Sequence, residues 1–443
     1  WLRKGAWKSG AVLENEELEE HSVPALTPYL TPPGEVVGNP YPLKENAGLS
    51  FQGSNVLGMG FVMEPEEAHA LIEANKRNAD VLKPYLNGDD LNSRPDQSPS
   101  RWVINFYDWP LERSAGGSWY DGLAEKPEEK QKEPGFTFYE DPEGLPSALK
   151  KKRKAWLREG KVPSDYPYLV AADYPDCLRI VEEKVKPDRE KLFANGNPTA
   201  TDRARKWWRY GRMSAALYGK IRGMERVVVK VLHSPAALFG LSHQAIVFSH
   251  ALGVFALAPE LGYCILNSSL HVEWAWTYGS TLGSSTLRYT PSDCFETFPF
   301  PEVENADVFV NMGAELAERL HAAGQRISGG ITTVYNEIHD PSNESTETAR
   351  IREHSRSIDL ELIKHYGWTD LEIEHGFVEK RQGTRYSLAP QIWSEVHTRL
   401  LKLNHERHAQ ELEESAKQSA KSKTTKKRAA KKSKSDDSQG EMF

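Results

Sequence analysis

The chain has 443 residues, 39% of them hydrophobic and 27% charged. That length fits about two to three domains, and that balance excludes a globally disordered protein. No apolar run reaches the roughly 18 residues of a spanning helix. No leader pattern opens the sequence, and the three cysteines (Cys177, Cys264, Cys294) lie too far apart for a disulfide or thiolate-zinc framework.

These features lead us to expect a cytoplasmic protein with no membrane partner. Trp1 stands first in place of Met, so a fragment of a longer polypeptide is expected. The net charge of −7 hides an asymmetry: Lys417 to Lys434 holds nine basic and no acidic residues, leaving −16 for the remainder. Within that acidic remainder, Arg179 to Lys230 carries 14 basic against 6 acidic residues, a local excess of +8. Such a chain does not coat itself with nucleic acid. Any DNA binding must use a focused basic surface.

Along the chain, residues 1–45 read as a strand remnant, an acidic stretch and a linker with Pro24, Pro28, Pro32, Pro33, Pro40 and Pro42. Strands are expected at Leu49–Gly53 and Gly58–Val62. A helix follows to about Asn78, with Pro65 in the first turn beside Glu66 and Glu67. Arg101–Phe106 has strand composition. Residues 114–170, rich in Pro, Gly, Glu and Lys, read as an inserted and partly mobile segment. A helix is predicted over Arg203–Lys220, strands over Arg226–Leu232 and Ala245–Ser249, and a helix over Leu261–Trp276. After Pro301 the expectation is helices near 305–325, 345–366 and 389–415, and a disordered low-complexity tail from Ser415.

The order of several short motifs then resembles a known family. Leu49-Ser50-Phe51-Gln52-Gly53, Tyr85-Leu86-Asn87-Gly88-Asp89-Asp90-Leu91-Asn92, Trp102-Val103-Ile104-Asn105-Phe106 and Pro110-Leu111-Glu112 come first. Val185-Lys186-Pro187, Trp207-Trp208, Asn267-Ser268-Ser269-Leu270-His271, Leu287-Arg288-Tyr289-Thr290 and Phe295-Glu296-Thr297-Phe298-Pro299-Phe300-Pro301 follow. Thr333-Val334-Tyr335-Asn336, Tyr366-Gly367-Trp368 and His375-Gly376-Phe377 close the set. Over roughly 45–410 this resembles the C-terminal half of the fused restriction-modification methyltransferases of the MmeI type and the related phage-defence methyltransferases.

That resemblance implies an α+β architecture, with a mixed strand-helix target-recognition domain followed by a helical C-terminal domain. The divisions would be 1–45 (methyltransferase remnant and linker), 46–302 (recognition, with the 114–170 insertion), 303–414 (helical) and 415–443 (tail). The parent enzyme would transfer methyl groups from S-adenosylmethionine to adenine N6. This chain would bind no cofactor and hold no catalytic residue. Its implied partners are double-stranded DNA, the upstream methyltransferase domain of the same polypeptide and other subunits of a defence system.

Two motifs compete with that division. Gly38-Asn39-Pro40-Tyr41 is similar to the Asn-Pro-Pro-Tyr loop that holds a flipped adenine. One Pro is missing, and the stretch ahead leaves no room for a cofactor-binding unit, so a linker is the better reading. Gly58-Met59-Gly60 reads as a turn, because a lone Gly-x-Gly is a weak cofactor signal.

Binding energy is expected mostly from phosphates and specificity from base edges. The candidate surface is Lys184, Lys186, Arg189, Arg203, Arg205, Lys206, Trp207, Arg209 and Arg212, with Ser280 and Arg288 as a second patch. Arginine forks grip phosphate or guanine, and small residues let a backbone approach DNA. His271 and Glu273 read as structural. The alternative function is a non-catalytic scaffold whose basic tail alone tethers DNA.

Overall fold

The continuous valines of Arg226–Val231 form a strand buried on both faces, as such a run demands. The computed structural model that contains it describes residues 38–436 apart from 122, 124–133, 138–140, 142, 195–197, 284, 304 and 381. Its strands are β1 (Ser50–Gln52), β2 (Val62–Met63), β3 (Leu82–Leu86), β4 (Arg101–Ile104), β5 (Glu112–Ala115), β6 (Lys161–Pro163), β7 (Arg226–Val231) and β8 (His233–Ser234). They continue with β9 (Gly240–His243), β10 (Val247–Phe248), β11 (Leu252–Phe255), β12 (Ser280–Leu282), β13 (Thr286–Arg288), β14 (His375–Lys380) and β15 (Gly383–Leu388). The helices are α1 (Pro65–Ala74), α2 (Gly88–Ser93), α3 (Ser147–Glu159), α4 (Pro175–Lys184), α5 (Lys186–Ala194), α6 (Pro198–Arg205) and α7 (Ala215–Ile221). After them come α8 (Pro259–Leu266), α9 (Ser269–Tyr278), α10 (Pro291–Cys294), α11 (Asp307–Ile327), α12 (Ile331–Ile338), α13 (Thr346–His365) and α14 (Pro390–Asp436).

The fold is α+β, with small sheets first and a helical C-terminal region. Sheets run β1-β11-β7-β9, β10-β3-β4-β2 and β12-β13-β8. Only β10–β3 and β5–β6 pair in parallel among the described strands. One core packs Phe61, Val103, Trp109, Tyr174, Val181, Trp207, Trp208 and Tyr210 between the second sheet and α4. The β7 valines lie under α2 and α8, beside the interlocked rings of Phe239, Phe255 and Tyr289.

Two expected helices are corrected, and the insertion and the tail gain structural detail. The 114–170 segment carries its own core of Trp119, Leu145, Leu149, Trp156, Val162, Tyr166 and Val170. Its lysine run lies on α3, where Leu149, Arg153 and Trp156 share the buried face and the Arg153 guanidinium sits over the Trp119 ring at 4.4 Å. The predicted 203–220 helix is two helices, α6 and α7, because residues between them turn to serve tertiary contacts described below. The 261–276 helix breaks at Asn267, and Ser268 caps the start of α9 by accepting from His271 N–H. The backbone of the tail is helical to Asp436. Ala, Lys, Arg and Gln are good helix formers, a property that a composition-based reading of disorder passes over. Residues 437–443 lie outside the described set.

Pro42–Ser394 forms one compact unit, so the expected boundary near 302 falls within it. In that unit α11 packs on α8, where Gly313 lets the two backbones touch: a Cβ there would collide with the Glu260 carbonyl oxygen. Residues 38–41 and 395–436 belong to a second unit. Its described part joins Tyr41 to α14, with Asn404 accepting from Tyr41 N–H and donating to Tyr41 C=O, each at 2.8 Å. The Tyr41 ring stacks on His408 at 4.3 Å. Gly58-Met59-Gly60 leads into a single 3-10 turn over Met59–Phe61.

Candidate nucleic-acid interface

The structure divides the sequence-predicted basic cluster into committed and free groups. Arg189 is buried at 5% exposure and donates to the carbonyls of Leu57 (2.8 Å), Arg209 (2.6 Å), Lys206 (3.3 Å) and Trp207 (3.3 Å). Burial, then the neighbouring Arg203 charge, pushes its pKa down to about 10. Arg209 donates through Nε and Nη2 to the Trp109 carbonyl at 2.9 and 2.6 Å. Arg189 is an internal staple and the half-buried Arg209 is braced on the Trp109 carbonyl, so much of the donor capacity that the sequence offers to DNA is used within the protein. The reason is local: the 206–209 turn presents bare carbonyls, and a planar fork can satisfy several at once.

Three lysines are engaged at the surface. Lys184 pairs with Glu67 (3.6 Å), Lys186 with Glu182 (2.8 Å) and Lys206 with Asp202 (3.1 Å). Lys186 also lies over the Trp207 ring at 5.0 Å. Trp207 is only 7% exposed, so its ring is part of the core and offers DNA no stacking face. What remains is Arg203, Arg205 and Arg212. All are exposed, and no carboxylate pairs with them among the described residues.

Arg212 leads into a second set. Its backbone bridges Asn55 in antiparallel fashion, and its Nη2 donates to Gln52 Oε1 (2.6 Å) and to the Gly53 carbonyl (3.2 Å). Gln52 in turn donates to the His250 carbonyl at 2.6 Å. Next to His250, the Ala251 carbonyl accepts from Leu232 N–H at 2.9 Å. His233, the next residue along, sits opposite Arg288, and Arg288 sits opposite Ser280. Residues directly opposite in a ladder share a face, and Ser280, Arg288 and His233 are all exposed.

Backbone hydrogen bonds and strand pairing therefore connect the segments that carry two candidate patches far apart in sequence, and Arg212, Gln52, His250, His233, Arg288 and Ser280 along this run are all exposed. Arg212 uses only Nη2 of its five donors, and Arg288 has no described carboxylate partner. Gln52 stood in a quoted motif but not among the predicted contacts. His233 and His250 carried no sequence signal, since only strand pairing brings them here.

The core beside β7 also holds a buried polar cluster. Lys230, 1% exposed, donates to the carbonyls of Ala236 (3.2 Å) and Leu238 (3.3 Å) and faces the Phe239 and Tyr289 rings. Burial pushes its pKa down to about 7. His271 bonds the Tyr289 hydroxyl at 3.0 Å, and burial reinforced by Lys230 pushes its pKa down to about 3. Glu273 is held by Lys380 and by Ser387 Oγ at 2.6 Å. Both residues are built into the core, as structural residues would be. No group of three or more His, Cys, Asp or Glu among the described residues could hold a metal, and no described helix is long and apolar enough to cross a membrane.

No protein-family model matches the sequence, and no curated protein matches it. Among solved structures, the type IIL restriction-modification enzyme MmeI, determined in complex with DNA, aligns at 13% identity with a TM-score of 0.46. The alignment covers 89% of this chain and 40% of that one, so the chain spans well under half of the larger protein.

Proposed function

We propose that this chain is the duplex-reading part of a site-specific, S-adenosylmethionine-dependent DNA adenine methyltransferase of a restriction-modification or phage-defence system. The run from Arg212 through Gln52, His250 and His233 to Arg288 and Ser280 supports this reading. Arginine, glutamine and histidine are side chains that read base edges and phosphates. Here they are exposed, braced from behind by backbone hydrogen bonds, and largely unspent on carboxylates. The motif order described above supports the assignment to a methyltransferase. S-adenosylmethionine supplies the methyl group in the parent, and no residue of this chain is assigned to hold it. The partners proposed are duplex DNA, the upstream methyltransferase region and further subunits of the defence system.

The test is selection from a random duplex library with the full chain, followed by titration of the selected duplex. Arg288→Ala should change the selected bases, and Arg212→Ala should weaken binding to every duplex. If both variants select and bind as wild type does, the reading fails. Binding that then vanished on deletion of 415–443 would leave the chain a scaffold with a DNA-tethering tail.

A further inference from the structure

Beside Arg212 the chain makes a tip, Leu57-Gly58-Met59, on which Leu57 packs in part over Gly211 while Met59 stands clear. Met59 is 82% exposed and Leu57 41%. With Leu57 and Met59 two residues apart on one turn, the two side chains together offer an apolar point at the surface.

The tip is also rigid, and its backbone is strained. Leu57 has φ +46° and Gly58 φ +148°, and a branched residue in the left-handed region costs roughly 1 kcal/mol or more. The strain is held from below. Arg189 grips the Leu57 carbonyl, the Val185 side chain packs where a Gly58 Cβ would lie 3.2 Å away, and a Cβ on Gly60 would collide with Lys184. Phe61, fully buried, anchors the far side under the Arg189 guanidinium at 5.4 Å. Asn55, two residues before the tip, is bridged to Arg212.

We infer that Met59 is an apolar wedge that enters a base step of duplex DNA, with Leu57 as its shoulder. The inference rests on the DNA-reading function proposed above. Its occupant follows from the rim. Arg212, bridged to Asn55 two residues before the tip, is exposed and has no described carboxylate partner, so the surface beside Met59 is cationic. A hydrophobic point beside an unpaired cation fits stacked bases next to a phosphate, where Met and Leu serve as wedges in proteins that kink the helix. Methionine suits the role because an unbranched, polarizable thioether adapts to the step it enters. Arg189, which the sequence offers as a phosphate contact, becomes the anchor of this tip.

The test uses the full chain and two 30-base-pair duplexes of one sequence, one intact and one carrying a single mismatch that already loosens a step. Wild type should bind the mismatched duplex about tenfold tighter, because unstacking costs a few kcal/mol per step and the mismatch removes part of that cost. Met59→Ser should abolish the preference, Met59→Leu should keep it, and Arg212→Ala should weaken both duplexes alike. The residue is too exposed for these changes to unfold the protein. No binding to either duplex by wild type overturns the DNA-reading function itself. Binding without a mismatch preference, or a preference that survives in Met59→Ser, leaves that function standing and overturns the wedge.

Discussion

Replacing Lys230 with Met should stabilise the protein at neutral pH and should stop doing so at alkaline pH. The ammonium is buried with two carbonyls and two aromatic faces for company, and folding lowers its pKa from 10.5 to about 7. The unfolded chain therefore binds more protons between those values. Stability must rise with pH across that window, and the penalty is fully present below pH 7. At about 1.4 kcal/mol per tenfold change in proton affinity, the penalty is on the order of 4–5 kcal/mol. Methionine removes it but leaves the Ala236 and Leu238 carbonyls unpaired and forfeits the ring contacts, which returns about 2 kcal/mol. The net expectation at pH 7 is a gain of about 2 kcal/mol for Lys230→Met. At pH 10 the wild-type amine is neutral and still hydrogen-bonded, so the variant should be equal or weaker. Burial raises the pKa of Cys294 and Tyr289, so their unfolded forms lose protons near the top of this window, but they do so in both proteins and drop out of the difference between variant and wild type. Urea denaturation at pH 7 and pH 10 reads both numbers. A variant less stable at pH 7, or one whose advantage is the same at both pH values, refutes the argument.

Two further substitutions probe the scaffold. Arg189→Lys should cost about 3 kcal/mol, because one ammonium cannot serve the carbonyls that the fork satisfies and buried acceptors left unpaired cost about 1–3 kcal/mol; an unchanged melting temperature would return Arg189 to the surface role expected from sequence. Gly313→Ala should destabilise by about 1–3 kcal/mol in chemical denaturation, since the new methyl meets backbone that cannot move aside. A neutral result there would mean that α11 and α8 are less tightly packed than described.

What the sequence revealed and what it hid follow from range. Pro65 at the head of α1 and the valines of β7 are local signals, and both were legible. The 203–220 region failed because its conformation is decided at a distance: Arg189 takes up carbonyls 17 to 20 residues away, and Trp208 donates to the Trp109 carbonyl at 3.0 Å. Helical periodicity carries no trace of such partners. The β14–β15 hairpin escaped because its strands are half exposed along most of their length, so no clean alternation marks them. For the candidate interface, residue type was legible and availability was not. A string of eight basic residues looks uniform in sequence, yet two brace backbone carbonyls and three are engaged by carboxylates.

That partition predicts a measurable salt dependence. Each phosphate neutralised by a free cation adds about 0.9 to the slope of log K against log salt. Arg203, Arg205, Arg212 and Arg288 have no described carboxylate partner, so replacing all four with Ala should flatten the slope by about 3–4. Lys184, Lys186 and Lys206 differ in kind. A lysine that leaves Glu67, Glu182 or Asp202 for a phosphate frees one anion as it neutralises another, so little net counterion is released. Replacing those three together should change the slope by less than about 1. The comparison is made by fluorescence anisotropy of one labelled duplex across a salt series, using both multiple variants and wild type. Equal flattening by the two variants would mean that pairing in the free protein does not decide which cations meet DNA. In that case the count of basic residues in the sequence would be the better guide to the interface.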